Sequence, residues 1–187
     1  MAKISLKRSL RIQNMDPGNL RNIPEDEKVF IDTNILTYYL FNDSVYGSEC
    51  NNFIKRIEEE RYYGFISPLV ISETLFNMIK AWAFNEHGVR PRDLIRMIKE
   101  RPKILRDMPV YQTSELFDLF FVLPVGEVEV KESYKLINKY YLLTNDALNA
   151  ATMKVNRINN MATNDRDFFN IDWIKCWHPD SYSMQRR

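Results

Sequence analysis

Acidic side chains stand at four places where a run of apolar residues gives way to polar ones. Asp32 ends the run Val29-Phe30-Ile31 and precedes Thr33 and Asn34. Glu73 lies in the apolar stretch after Pro68, Asp146 follows Thr144-Asn145, and Asp165 follows Thr163-Asn164, with Asp167 two residues on. Each has an ordinary explanation when taken singly. Asp, Thr and Asn cap helices, Asp146 suits the positive end of a helix dipole, and Asp165 and Asp167 suit a turn and a cap. Carboxylates gathered without matching arginines are another matter, because like charges in one crevice raise one another's pKa. A hard divalent cation resolves that conflict, and Mg²⁺ in particular combines a few carboxylates with waters and phosphate oxygens.

Such a crevice needs a scaffold, and the apolar periodicity supplies one. Strands are predicted at 29–31, 63–67, 120–125, 160–163 and 173–177, and helices at 35–40, 50–61, 68–86, 91–101, 111–119, 127–141 and 144–155. Gly88 should stop the third helix, and Pro68 suits its first turn. Alternating strands and helices give the α/β class, a three-layer α/β/α sandwich with a central, largely parallel sheet. In that sheet the strand ends carrying Asp32 and Asp165 share one edge, where open α/β sheets place their ligands. The start of the helix holding Asp146 can face the same crevice, and so can Glu73. On the helix of Glu73, Ile71, Leu75, Met78 and Trp82 form a stripe opposite the glutamate, while Leu69, Val70 and Phe76 flank it. This predicts a largely buried helix whose glutamate needs a partner. An ion pair with Lys80, on the same face as Asn77, is the alternative to a role in the crevice.

Composition narrows the field of functions. A chain of 187 residues with 45% hydrophobic and 27% charged residues is ordinary for one globular domain. The formal net charge of +1 provides no global field for nucleic acid, so such a partner must be held by local patches or metal ions. One candidate patch is the segment from Arg90 to Asp107, with seven basic and three acidic residues, where Arg92, Arg96 and Lys99 share a helix face. A solvated helix face explains the same pattern. Cys50 and Cys176 are solitary, as are His87 and His178, so neither a zinc site nor a disulfide framework is suggested. Apolar runs are strand-sized and no signal segment opens the chain, so a cytoplasmic location away from the membrane is expected. Residues 1–27 read as a basic extension (Lys3, Lys7, Arg8, Arg11) with apolar alternation at Ile4, Leu6, Leu10 and Ile12, followed by a linker from Asp16 to Glu27. The main domain spans 28–178, and 179–187 form a tail. Five glycines and no Gly-rich loop after a strand argue against a flavodoxin-like ligand binder.

Four segments taken in order carry a family likeness: FIDTN at 30–34, SPLVISE at 67–73, LTNDALNAATM at 143–153 and ATNDRDF at 162–168. The chain resembles the PIN domain over roughly residues 28–177, the metal-dependent ribonuclease fold of VapC-type toxins and RNA-processing nucleases. The resemblance implies an acidic quartet of Asp32, Glu73, Asp146 and Asp165, with Asp167 as an auxiliary metal ligand and Thr33, Asn34 and Thr163 as supporting polar groups. It also implies one or two Mg²⁺ or Mn²⁺ ions, RNA as substrate, and in-line attack by water that leaves a 5′-phosphate and a 3′-hydroxyl. An antitoxin protein and a homodimer are the partners it suggests. The rival reading is a catalytically silent module that binds RNA or protein through the same fold.

Overall fold

The computed structural model describes residues 18–106, 108 and 110–180. Six strands, β1 (Gly18–Asn19), β2 (Lys28–Ile31), β3 (Tyr63–Ile66), β4 (Phe121–Val122), β5 (Asn160–Ala162) and β6 (Lys175–His178), form one sheet in the order β1-β6-β5-β2-β3-β4. Every pairing among them is parallel. Seven α-helices are seen among the described residues: α1 (Thr33–Leu40), α2 (Gly47–Glu58), α3 (Pro68–His87), α4 (Leu94–Glu100), α5 (Val110–Phe117), α6 (Glu127–Tyr140) and α7 (Thr144–Val155). They cover the sheet, which is why Val29, Phe30 and Ile31 are all fully buried although their side chains alternate between its faces.

β2 is central, and the chain builds outward from it in two directions. β3 and β4 extend one side, while β5 and β6 extend the other. The strand order therefore switches between β2 and β5, and the carboxyl ends of those two strands open a crevice of the kind that holds ligands. Asp32 follows β2 there, and its amide continues the ladder by donating to the Ala162 carbonyl of β5 at 3.0 Å. Ala147, Ala150 and Ala151 of α7 present little bulk and are fully buried in the main core. Gly88 ends α3 in the left-handed conformation expected of it (φ 63°).

Four expectations need correction. The presumed linker belongs to the domain from Gly18 onward: Leu20 and Ile23 are buried in the main core, and β1 pairs with β6. The strand expected at 120–125 shrinks to Phe121–Val122 and is exposed, since only the flanking Phe120 and Leu123 reach the core. The last strand begins at Lys175 rather than Trp173. α3 is less buried than its apolar stripe suggested, with only Val70, Thr74 and Ala83 fully enclosed. Its second half instead seats a small satellite core of Ala83, Val89 and Leu94, packed by Ile79, Met97, Ile98 and Ile104. The basic arm at 1–17 and the tail from 181 lie outside the described residues.

Candidate active site

Asp32, a candidate site residue, is also a helix cap. Its Oδ1 accepts from the Thr33 amide at 2.7 Å, capping α1, and its Oδ2 accepts from the Thr163 hydroxyl at 2.6 Å and from the Asn34 side-chain amide. Thr163 follows β5, so this hydroxyl ties the ends of the two central strands together. The same oxygen accepts from the Asp165 amide at 2.9 Å, which holds the second Thr-Asn-Asp turn over the crevice. Asn34 completes the brace: its Nδ2 also reaches Thr163 at 3.2 Å, and its Oδ1 accepts from the Asn164 amide at 3.1 Å. Thr33, Asn34 and Thr163 thus each donate a hydrogen bond to Asp32.

Glu73 enters from α3. Its Oε2 accepts from the Thr33 hydroxyl at 2.8 Å and its Oε1 from the Asn145 side-chain amide at 2.7 Å. The proposed ion pair with Lys80 is not formed; the Lys80 ammonium lies over the Phe76 ring, 5.0 Å from its centroid, and Asn77 donates to the Thr37 hydroxyl. Thr144 and Asn145 are both residue types that cap helices, yet neither caps α7. Leu143 takes the cap position without a side-chain bond, and Asn145 is freed to reach across to Glu73. Beneath this contact the buried Ser67 hydroxyl donates to Asn149 Oδ1 at 2.7 Å while capping α3 through the Val70 amide. Ser67 lies six residues before Glu73 and Asn149 three after Asp146, so one buried bond sets the two acidic helices against each other.

The charges of these carboxylates act on one another. Burial pushes the Asp32 carboxyl up to about 6; the bonds from Thr163 and Thr33 oppose the rise, and the charges of Asp165 and Asp146 add to it. Burial also pushes Asp146 up to about 6, aided by Asp165, Asp167 and Glu73. Among the described residues, none of the five acids forms a salt bridge, and Asp146 has no side-chain hydrogen bond. Concentrated negative charge, oxygen donors only and no compensating cation make a donor set suited to a hard divalent ion. No three of the acids stand in a single coordination sphere among the described residues. Glu73 is held by Thr33 and Asn145, and Asp165 Oδ1 by the Asp167 amide at 2.9 Å. That arrangement fits Mg²⁺, which uses one or two carboxylates and keeps several waters.

The basic patch lies elsewhere, beyond the far half of α3. Arg90, Arg92 and Arg96 converge on the single carboxylate of Asp93, at 3.1, 3.8 and 3.2 Å, and Lys99 has no acidic partner among the described residues. What sequence reasoning missed is the part played by Asn145, Ser67 and Asn149. Repetition of Thr-Asn-Asp was the available signal for the first. Nothing local marks the other two.

The fold and site together are those of an α/β protein with a parallel sheet and an acidic crevice at its switch point. The profile of the PIN domain matches residues 29–174, and the chain belongs to that family. It is 36% identical to "Ribonuclease VapC2" of Methanocaldococcus jannaschii over 151 residues, covering 81% of this chain and 93% of that protein. It is 27% identical to "Ribonuclease VapC6" of the same organism, covering 79% and 94%. The fold matches that in the crystal structure of VapBC2 from Rickettsia felis bound to a DNA fragment from their promoter, with a TM-score of 0.52, 14% identity and coverage of 82% and 99%.

Proposed function

We propose that this protein is a divalent-metal-dependent endoribonuclease, acting as the toxin of a toxin–antitoxin pair. The raised carboxyls of Asp32 and Asp146, which Glu73, Asp165 and Asp167 lie near enough to influence and which no salt bridge offsets among the described residues, carry the reading. Membership in the PIN family and likeness to two proteins named ribonucleases support it. Asp32 and Asp146 would hold Mg²⁺ or Mn²⁺, with Asp165 adjoining. A bound divalent ion supplies acidification of a water and neutralisation of phosphate charge. Thr163 and Asn34 hold Asp32 in one orientation, as outer partners of a ligating carboxylate do. Glu73, left outside that ligand set, is the candidate to orient or deprotonate the attacking water. An antitoxin protein is the partner this reading assigns, in keeping with the likeness to the VapBC2 assembly of Rickettsia felis.

The test is the chemistry of the cut ends. An RNA pool incubated with Mn²⁺ should yield 5′-phosphate and 3′-hydroxyl termini and stay intact in EDTA. Cyclic phosphates, or cutting that persists in EDTA, would exclude metal-assisted attack by water.

A further inference from the structure

A cleft of about 340 Å³ opens between the first turns of α3 and α7, with Glu73 forming part of its wall. Its floor is apolar, built from Pro68, Leu69, Val125 and Leu148, and its rim carries Ser72 and Asn145. The volume stands at the low end of the range for ligand sites, roughly 300–1,000 Å³, and suits one planar base better than two. An apolar floor beside a catalytic carboxylate is what the face of a base requires when its phosphate lies at the metal.

The rim has a defined polarity. A carboxylate only accepts hydrogen bonds, so Asn145 must turn its Nδ2 toward Glu73 Oε1, as it does at 2.7 Å. That leaves Asn145 Oδ1 as an acceptor of fixed orientation, with no donor among the described residues. The exposed Ser72 hydroxyl likewise has no hydrogen-bond partner among the described residues. A fixed acceptor favours a base edge that brings a donor. Adenine, cytosine and guanine offer an exocyclic amine, whereas uracil offers two carbonyls around one N–H.

We infer that this cleft is the subsite for the nucleobase next to the scissile phosphate, and that it prefers bases bearing an exocyclic amine. The inference deepens the nuclease reading and rests on it for the placement of the phosphate. Base binding can nevertheless be read without catalysis. The experiment titrates AMP, CMP, GMP and UMP into the metal-free protein, followed at the backbone amides by NMR. In parallel, cleavage with Mn²⁺ is compared for four single-stranded oligonucleotides that differ only beside the cut. Val125→Trp fills the cleft from the loop before α6, and Ser72→Phe fills it from an exposed position of α3, so a folding failure of one leaves the other.

The amides of Ser72, Asn145 and Leu148 should shift with AMP, CMP and GMP more than with UMP, and both variants should abolish those shifts. Both should also lower kcat/KM for the preferred oligonucleotide roughly tenfold, the scale of one lost base contact, with Mn²⁺ affinity unchanged. Equal shifts with all four nucleotides, absence of shifts at those amides, or wild-type base preference in both variants would overturn the subsite. Shifts as described in a protein that cuts no RNA with Mn²⁺ would uphold the base site and overturn the nuclease reading instead.

Discussion

Replacing a carboxylate of the acidic crevice should stabilise the metal-free protein. Asp146→Asn is the cleanest case, because Asp146 has no side-chain hydrogen bond among the described residues and its charge meets only desolvation and like charges there. Its carboxyl rises from 3.8 to about 6 through burial and the charges of Asp165, Asp167 and Glu73. A pKa raised on folding gives stability that is complete below the unfolded value and is lost as pH rises through the folded one. At about 1.4 kcal/mol per tenfold change in proton affinity, the full loss is roughly 3 kcal/mol. Asp146 is only half-buried, so solvent screening reduces this to about 1–2 kcal/mol. Asp32 shares the benefit, since the charge of Asp146 helps to raise it. Thermal unfolding in EDTA, followed by far-UV circular dichroism from about pH 4 to about pH 8, reads the difference. Asp146→Asn should match wild type near pH 4 and melt about 2–8 °C higher near pH 8, from about 2–4 °C per kcal/mol for a chain of this size. With Mn²⁺ the order should reverse, because a bound ion stabilises the folded state by mass action and the variant has lost a ligand. A variant less stable than wild type near pH 8 in EDTA would refute the claim that desolvation and like charges penalise the ionised Asp146 in the folded state.

Three further outcomes follow from named contacts. Thr163→Val removes the hydroxyl that donates to Asp32 and accepts from the Asp165 amide; calorimetry should show Mn²⁺ affinity falling about tenfold, and unchanged affinity would remove Thr163 from the site. Leu20→Ala should cost about 2–5 kcal/mol in urea unfolding if residues 18–27 belong to the core, whereas a loss near zero would restore the linker reading. Substituting Arg92, Arg96 and Lys99 with Ala should weaken RNA binding and reduce the slope of log affinity against log salt by about 2 if all three meet phosphates. An unchanged slope would mean that Arg92 and Arg96 serve only to surround Asp93.

Much of the site was legible because its residues sit at transitions that leave local marks. Val29-Phe30-Ile31 announces a strand covered on both faces, so Asp32 had to stand at its carboxyl end, and the second Thr-Asn-Asp repeats that logic for Asp165. Helix periodicity located Glu73 and Asp146 but could not choose their partners. Whether Glu73 meets Lys80 or Thr33 depends on how α1 crosses α3, and whether Asn145 caps α7 or reaches Glu73 depends on the spacing that Ser67 and Asn149 impose. The segment around Gly18 misled for a different reason. A two-residue strand has no periodicity, and Pro17, Gly18 and Pro24 have the composition of a linker, although Leu20 and Ile23 are core residues. Phe120 to Val125 misled in the opposite sense, since apolar content alone cannot tell an exposed edge from a buried strand.

The central claim is that the acidic crevice holds a divalent ion and cuts RNA with it. The most direct measurement combines Mn²⁺ calorimetry and RNA cleavage on the same preparations of wild type, Asp32→Asn and Asp146→Asn, each shown to be folded. The account predicts Mn²⁺ binding and metal-dependent cutting by wild type, with both lost or strongly weakened in the two variants. Cutting retained in both variants, or a wild-type protein that neither binds Mn²⁺ nor cuts RNA, would contradict it.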